Sequence, residues 1–176
     1  PRIAPGGRSE VGWLNWTIAR VSGRVAGTGP PNLFLTLGRH RGLFRGWLRF
    51  AGKLMPGGKL QRRESELVIL RVAHLCGSEY EFAHHVRLGR RAGLRDMDIE
   101  NVTRQLVDGA WIPREAAILA AVDQLHADRN LDEEAWAALE AHLDEQERIE
   151  LLMLAGHYEM LATFLRTLRV AQDESV

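Results

Sequence analysis

The segment from Arg62 to Cys76 constrains the fold more than any other part of the chain. Leu67, Val68, Ile69, Leu70, Val72, Ala73 and Leu75 make it apolar around most of a helical circumference. A helix apolar on nearly all sides has to be enclosed by other elements, so residues 62–76 are expected as a buried central helix. Gly77 stops it. The next segment has the opposite character: Ser78-Glu79-Tyr80-Glu81-Phe82-Ala83-His84-His85 carries acids, bases and hydroxyls close together. It is expected as a second helix running to about Arg91 and ending at Ala92-Gly93. The junction of these two helices is the candidate functional site.

The remaining segments also follow helical spacing. Residues 1–10 are rich in Pro and Gly and are expected to be poorly ordered. A short helix over 11–21 precedes a Gly-Pro linker from Gly23 to Pro31. This divides the chain into an N-terminal arm and linker, 1–30, and a single helical domain, 31–176. Asn32 caps a short turn through Leu37. In 41–55, Leu43, Phe44, Trp47, Leu48, Ala51, Leu54 and Met55 form an apolar side, while Arg41, Arg45 and Arg49 repeat at four along another. Pro56-Gly57-Gly58 ends that helix. Further helices are predicted from Asp96 or Asp98 to about Val107, from Pro113 to His126, from Asp132 to about His142, and from Glu145 to Val170 with an irregularity at Gly156. No segment alternates convincingly as a strand. The fold class is therefore all-α, with about eight helices.

Composition narrows the function classes. With 176 residues, 45% of them hydrophobic, one domain with a real core is favoured. No 18-residue apolar run suggests a membrane span, and PRIAPGGRSE has no signal-peptide centre. The single cysteine cannot close an internal disulfide and suits a reducing compartment. A cytoplasmic protein is expected. Residues 1–63 hold twelve Arg or Lys and one acid, Glu10, whereas 64–176 hold eleven basic and twenty-two acidic residues. A basic front segment can bind nucleic acid or an anionic membrane. The near cancellation of the two charges favours pairing with the acidic remainder instead, so neither partner is expected.

Ser78, Glu81 and His85 stand at i, i+3 and i+7 and share one helix face. Glu81 and His85, four apart, can touch; a carboxylate beside an imidazole stabilises and orients the imidazolium. Such a pair can donate and recover a proton near neutral pH. Glu66 can complete the site from the preceding helix. Glu66, Glu81 and His85 are the candidate catalytic residues, and Ser78, Tyr80 and His84 the candidate substrate contacts. His84 diverges from His85 by about 100° around the helix. A structural reading stands beside this one: Ser78 and Glu81 have capping-box spacing, and Glu66 suits a helix start. Metal binding by Glu66, His74 and His85 would need the two helices to bring them together, and no metal is expected. Cys76 has no CxxC partner and is expected as a buried structural residue. No phosphate loop, zinc-finger spacing or GxSxG is present, and no cofactor is expected. Gly77-Ser-Glu-Tyr-Glu81 has a short echo in Ala155-Gly-His-Tyr-Glu159.

On these residues the chain resembles the carboxymuconolactone decarboxylase family, which includes alkylhydroperoxidase-D-like proteins. The resemblance rests on Arg63-Glu64-Ser-Glu66-Leu-Val-Ile-Leu-Arg71, Gly77 to His85, Ala92-Gly93-Leu94, Glu115-Ala-Ala-Ile-Leu and Val122-Asp123-Gln-Leu-His126. Asn32-Leu-Phe-Leu-Thr-Leu and Leu43-Phe44-Arg45-Gly46-Trp47 extend it. It implies an alkylhydroperoxidase-D-like helical fold and homo-oligomers, commonly trimers or hexamers, with sites near subunit contacts. The redox branch carries Cys-x-x-Cys, a His four residues later and a Glu twelve residues before the first Cys. By resemblance Ser78 and Glu81 occupy the two Cys positions, His85 the His position and Glu66 the Glu position. The acid–base half is kept and both sulfurs are replaced. The resemblance thus implies a cofactor-independent lyase-like enzyme, a decarboxylase or proton-transfer isomerase, acting on a small organic acid, lactone or enone. The alternatives are a peroxide-linked antioxidant protein and a non-catalytic helical scaffold.

Overall fold

The computed structural model describes residues 1–104 and 111–173, and of Val25 and Ala26 the backbone alone. Among the described residues every regular element is helical: α1 (Arg8–Val11), α2 (Trp13–Ala26), α3 (Asn32–Leu37), α4 (Arg41–Leu54), α5 (Arg62–Leu75), α6 (Glu79–Arg91), α7 (Asp96–Asn101), α8 (Pro113–Asp128), α9 (Glu133–Glu140) and α10 (Glu145–Leu168). The all-α class expected from the periodicity is what the chain adopts. Two short helices, α1 and α3, raise the number above the expected eight. The end expected near Val107 for the seventh helix lies outside the described residues. No described helix is long and apolar enough to cross a membrane.

The described chain divides into two compact units. One unit comprises Pro1–Lys53 with the chain from Thr163 onward. Its first thirty residues are not a loose arm, because they form α1 and α2, separated by Gly12 at φ 85. The chain end closes this unit. Asp173 Oδ1 accepts the Asn32 N–H at 2.7 Å, and the Arg2 N–H reaches Leu168 O at 2.7 Å. Arg41 donates to the carbonyls of Ser9 and Glu10, at 2.7 and 3.2 Å. The rings of Phe34 and Trp47 meet edge to face at 5.4 Å. These contacts join residues far apart in sequence, which local patterns do not report.

The second unit, Leu54–Ala162, is built around α5. Every residue from Glu64 to Ala73 is buried, as an all-round apolar helix requires. Leu67 and Leu70 of α5 join Leu94, Val102 and Leu119 in one cluster, with Phe82, Val86, Ile99 and Trp111 packed against it. Two arginines eight residues apart on α5 reach two acids eight apart on α8: Arg63 pairs with Glu115 at 2.6 Å and Arg71 with Asp123 at 2.6 Å. Arg114 of α8 returns the contact to Glu64 at 2.6 Å. The polar clamps fix the register of α5, and with it the position of Glu66. Asp132 caps α9 by accepting the Ala135 N–H at 2.8 Å. Helix α10 runs through Gly156 without a break.

Candidate acid–base site

Glu66 lies in the second turn of α5, where the helix is fully enclosed, and its exposure is 0%. A polar group this deep needs partners that replace its lost water. It has two. Its Oε2 lies 2.7 Å from His85 Nδ1 on α6, and its Oε1 is 2.8 Å from the Arg62 guanidinium one turn earlier on α5. The Arg62 approach is an ion pair off the line of a hydrogen bond. The contact occupies Nδ1, so Nε2 is the ring nitrogen left to take or give a proton.

The helical spacing predicts Glu81 paired with His85, and the structure replaces that pair with Glu66 and His85. Glu81 and His85 do share the buried face of α6, with exposures of 3% and 6%. Yet no described residue donates a hydrogen bond to either Glu81 oxygen. The capping box is also not formed: α6 begins at Glu79, and the Ser78 side chain caps no backbone N–H. Glu81 is therefore a buried carboxyl without a bonded donor. Burial pushes its pKa up to about 7, against a smaller opposing pull from the nearby Ser78 side chain. A carboxyl in that condition is a proton donor near neutral pH rather than a fixed charge.

Tyr158 of α10 completes the cluster. Its ring stands edge-on to the His85 ring, at 5.1 Å and 88°. Burial raises its pKa, and the nearby charges of Glu66 and Glu81 raise it further, so the phenol stays protonated. His157 and His84 flank the site. The His84 ring meets the His85 ring edge-on at 5.5 Å, closer than the helical divergence suggests. Burial, followed by the proximity of His85, lowers His84 to about 3 and His157 to about 4. Both rings stay neutral, and this limits positive charge beside His85.

Of the residues singled out from sequence, Glu66 and His85 are in contact and Glu81 shares the His85 face. Tyr80 is buried, and Ser78 is buried at the foot of α6. Ser78 also lines a cavity of about 250 Å³ with His74, Phe82, Ala83 and Thr103, among others, whose lining does not include Glu66, Glu81 or His85. Sequence reasoning misses Arg62, His157 and Tyr158. The four-residue step from Arg62 to Glu66 is a signal for the first. The echo of Gly77–Glu81 in Ala155–Glu159 is a signal for Tyr158, which stands at the echo position of Tyr80.

Residues 41–124, which carry α4 to α8 and hence Glu66, Glu81 and His85, match the sequence model of the carboxymuconolactone decarboxylase family. That segment is a little under half of the chain, and it supports the resemblance to this family. No curated protein matches it in sequence. Solved structures match it in fold. An uncharacterized peroxidase-related protein from Ralstonia eutropha, with an alkylhydroperoxidase AhpD core, superposes with a TM-score of 0.85 at 18% identity, covering 97% of this chain and 91% of that one. The debrominase Bmp8, as a cysteine-to-alanine variant in complex with 2,3,4-tribromopyrrole, gives 0.82 at 16% identity, covering 96% and 90%. The Agrobacterium tumefaciens protein ATU0492, of unknown function and linked by name to AhpD antioxidant defence, gives 0.68 at 21% identity, covering 73% and 89%. At these identities the likeness establishes the AhpD-like helical fold and nothing finer.

Proposed function

We propose that this protein is a cofactor-independent acid–base enzyme acting on a small organic acid, lactone or enone, by decarboxylation or proton-transfer isomerisation. The observation that carries the reading is the buried 2.7 Å contact between Glu66 and His85 Nδ1. Glu66 fixes the tautomer and offsets the charge that His85 gains when Nε2 takes a proton. In an isomerisation, Nε2 removes a proton next to a carbonyl and returns it at another carbon. In a decarboxylation, CO2 leaves its electron pair on the α-carbon, and the imidazolium protonates that carbon. In both, the neutral Glu81 carboxyl donates a hydrogen bond to the developing enolate oxygen. The family match supports a small-molecule catalytic or antioxidant role at this coarse level. The tribromopyrrole complex of Bmp8 supports the idea that this fold accommodates a small ring compound.

The test is a panel of small carboxylic acids, lactones and enones incubated in D2O and followed by NMR for CO2 loss or deuterium uptake. Wild type is expected to turn over at least one of them. A folded His85→Ala variant is expected to lose on the order of 10²–10⁴ in rate on that compound. Full turnover by His85→Ala overturns the assignment.

The peroxidase-related names among the structural neighbours favour a second reading, a peroxide-linked antioxidant protein. With Ser78 and Glu81 at the positions of the family's cysteines, it would have to run through Cys76 and an external thiol. A thiol count unchanged after peroxide exposure excludes it.

A further inference from the structure

The sequence predicts Cys76 as a buried structural residue, but it is half-buried and faces two other metal-ligating groups. Its Sγ lies 3.9 Å from His126 Nδ1, which lies 2.8 Å from Glu159 Oε1. The three donor atoms fall within 4.8 Å of one another, the one such group of His, Cys, Asp or Glu among the described residues. They come from three separate elements: Cys76 is the C-cap residue of α5, His126 stands in the last turn of α8, and Glu159 is on α10.

Two chemistries suit such a trio. In a nucleophilic triad the carboxylate holds one ring nitrogen and the thiol bonds to the other. Here Sγ and Oε1 both address Nδ1, so the ring cannot relay a proton between them. Three donors converging on one point is instead the arrangement of a metal site. We propose that Cys76, His126 and Glu159 bind a divalent ion of the zinc class, with the fourth position open to water or a small ligand. A tetrahedral zinc, with bonds of about 2.0–2.3 Å, holds such donors about 3.4–3.6 Å apart. The distances of 3.9 and 2.8 Å straddle that value, and the Sγ–Oε1 pair lies within 4.8 Å, so the carboxylate and the thiol have to rotate toward a shared centre for all three to ligate. Arg129 donates to the other Glu159 oxygen, Oε2, and orients the carboxylate so that Oε1 faces the site. Binding displaces the proton between His126 and Glu159 and that of the thiol. Glu159 directly follows Tyr158, so this site and the His85 cluster share one stretch of α10.

The experiment is a Co2+ titration of the chelator-treated full chain. The expected result is one ion per chain, with a sulfur-to-cobalt charge-transfer band in the near ultraviolet that Zn2+ displaces. Cys76→Ser should abolish the band. His126→Ala and Glu159→Gln, checked for folding by circular dichroism, should each weaken binding by at least about tenfold. A second measurement needs no variant, because the chain has one cysteine. Zn2+ should slow alkylation of that thiol by iodoacetamide at least about tenfold, and a chelator should restore the rate. Cobalt binding without the sulfur band, or alkylation indifferent to Zn2+, overturns the proposal.

Discussion

Glu81 is a carboxyl that the fold holds out of water, and no described residue offers its oxygens a bonded donor. The consequence is a stability slope with a definite sign. Its pKa is raised from 4.5 to about 7, chiefly by burial. Between those values the folded chain retains a proton that the unfolded chain releases. Stability from this group is present below about pH 4.5 and is lost as pH rises through about 7. Glu81→Gln is expected to remove the slope. The variant should match wild type near pH 4 and exceed it by on the order of 3 kcal/mol near pH 8. Urea melts across that range make the comparison, and a gap independent of pH would contradict it. His84 and His157 act in the opposite sense, because burial lowers both from 6.5. The folded chain refuses protons that the unfolded chain accepts, so their contribution is lost as pH falls below about 6.5. The variant should keep this acid-side loss.

At the scale of elements, α5 matters because its register places Glu66 opposite His85. Apolar packing alone lets a helix slide or rotate by small amounts, whereas Arg71 locks it. Its guanidinium forks onto both Asp123 oxygens, at 2.6 and 2.7 Å, and donates to the carbonyls of Val102 at 2.7 Å and Arg104 at 2.6 Å. Arg71→Met would keep the helix apolar but leave a carboxylate and two carbonyls without that donor. It is expected to destabilise the chain by about 3 kcal/mol. A shift in denaturant midpoint equivalent to less than about 0.5 kcal/mol would show that the clamp is dispensable. The helices themselves are legible in sequence, since Leu67 to Leu75 and the Pro113 start carry their own period and end signals. The clamps are not: Arg71 and Asp123 are 52 residues apart, and nothing local distinguishes a clamping arginine from a solvated one.

Over the whole molecule, the same contrast governs the site. His85, Glu66 and Glu81 can be selected because acids and bases beside an apolar helix are uncommon, and because the family pattern falls on them. Which acid holds the imidazole is not legible. The four-residue step from Glu81 to His85 suggests one answer, and the packing of α6 on α5 supplies another. Tyr158 and His157 arrive from α10, some seventy residues beyond His85. The N-terminal segment shows the same limit: its Gly and Pro residues signal a linker, while Arg2 and Asn32 bond to Leu168 and Asp173, far away in sequence. The proposed chemistry requires Glu66 to hold His85 Nδ1 so that Nε2 serves as the working nitrogen. The measurement that tests this most directly is a long-range proton–nitrogen NMR correlation of the His85 ring, assigned by its loss in His85→Gln. In wild type the neutral ring should carry its proton on Nδ1, and Glu66→Gln should redistribute it toward Nε2. A ring already protonated on Nε2 in wild type, or a tautomer unchanged by Glu66→Gln, would contradict the account.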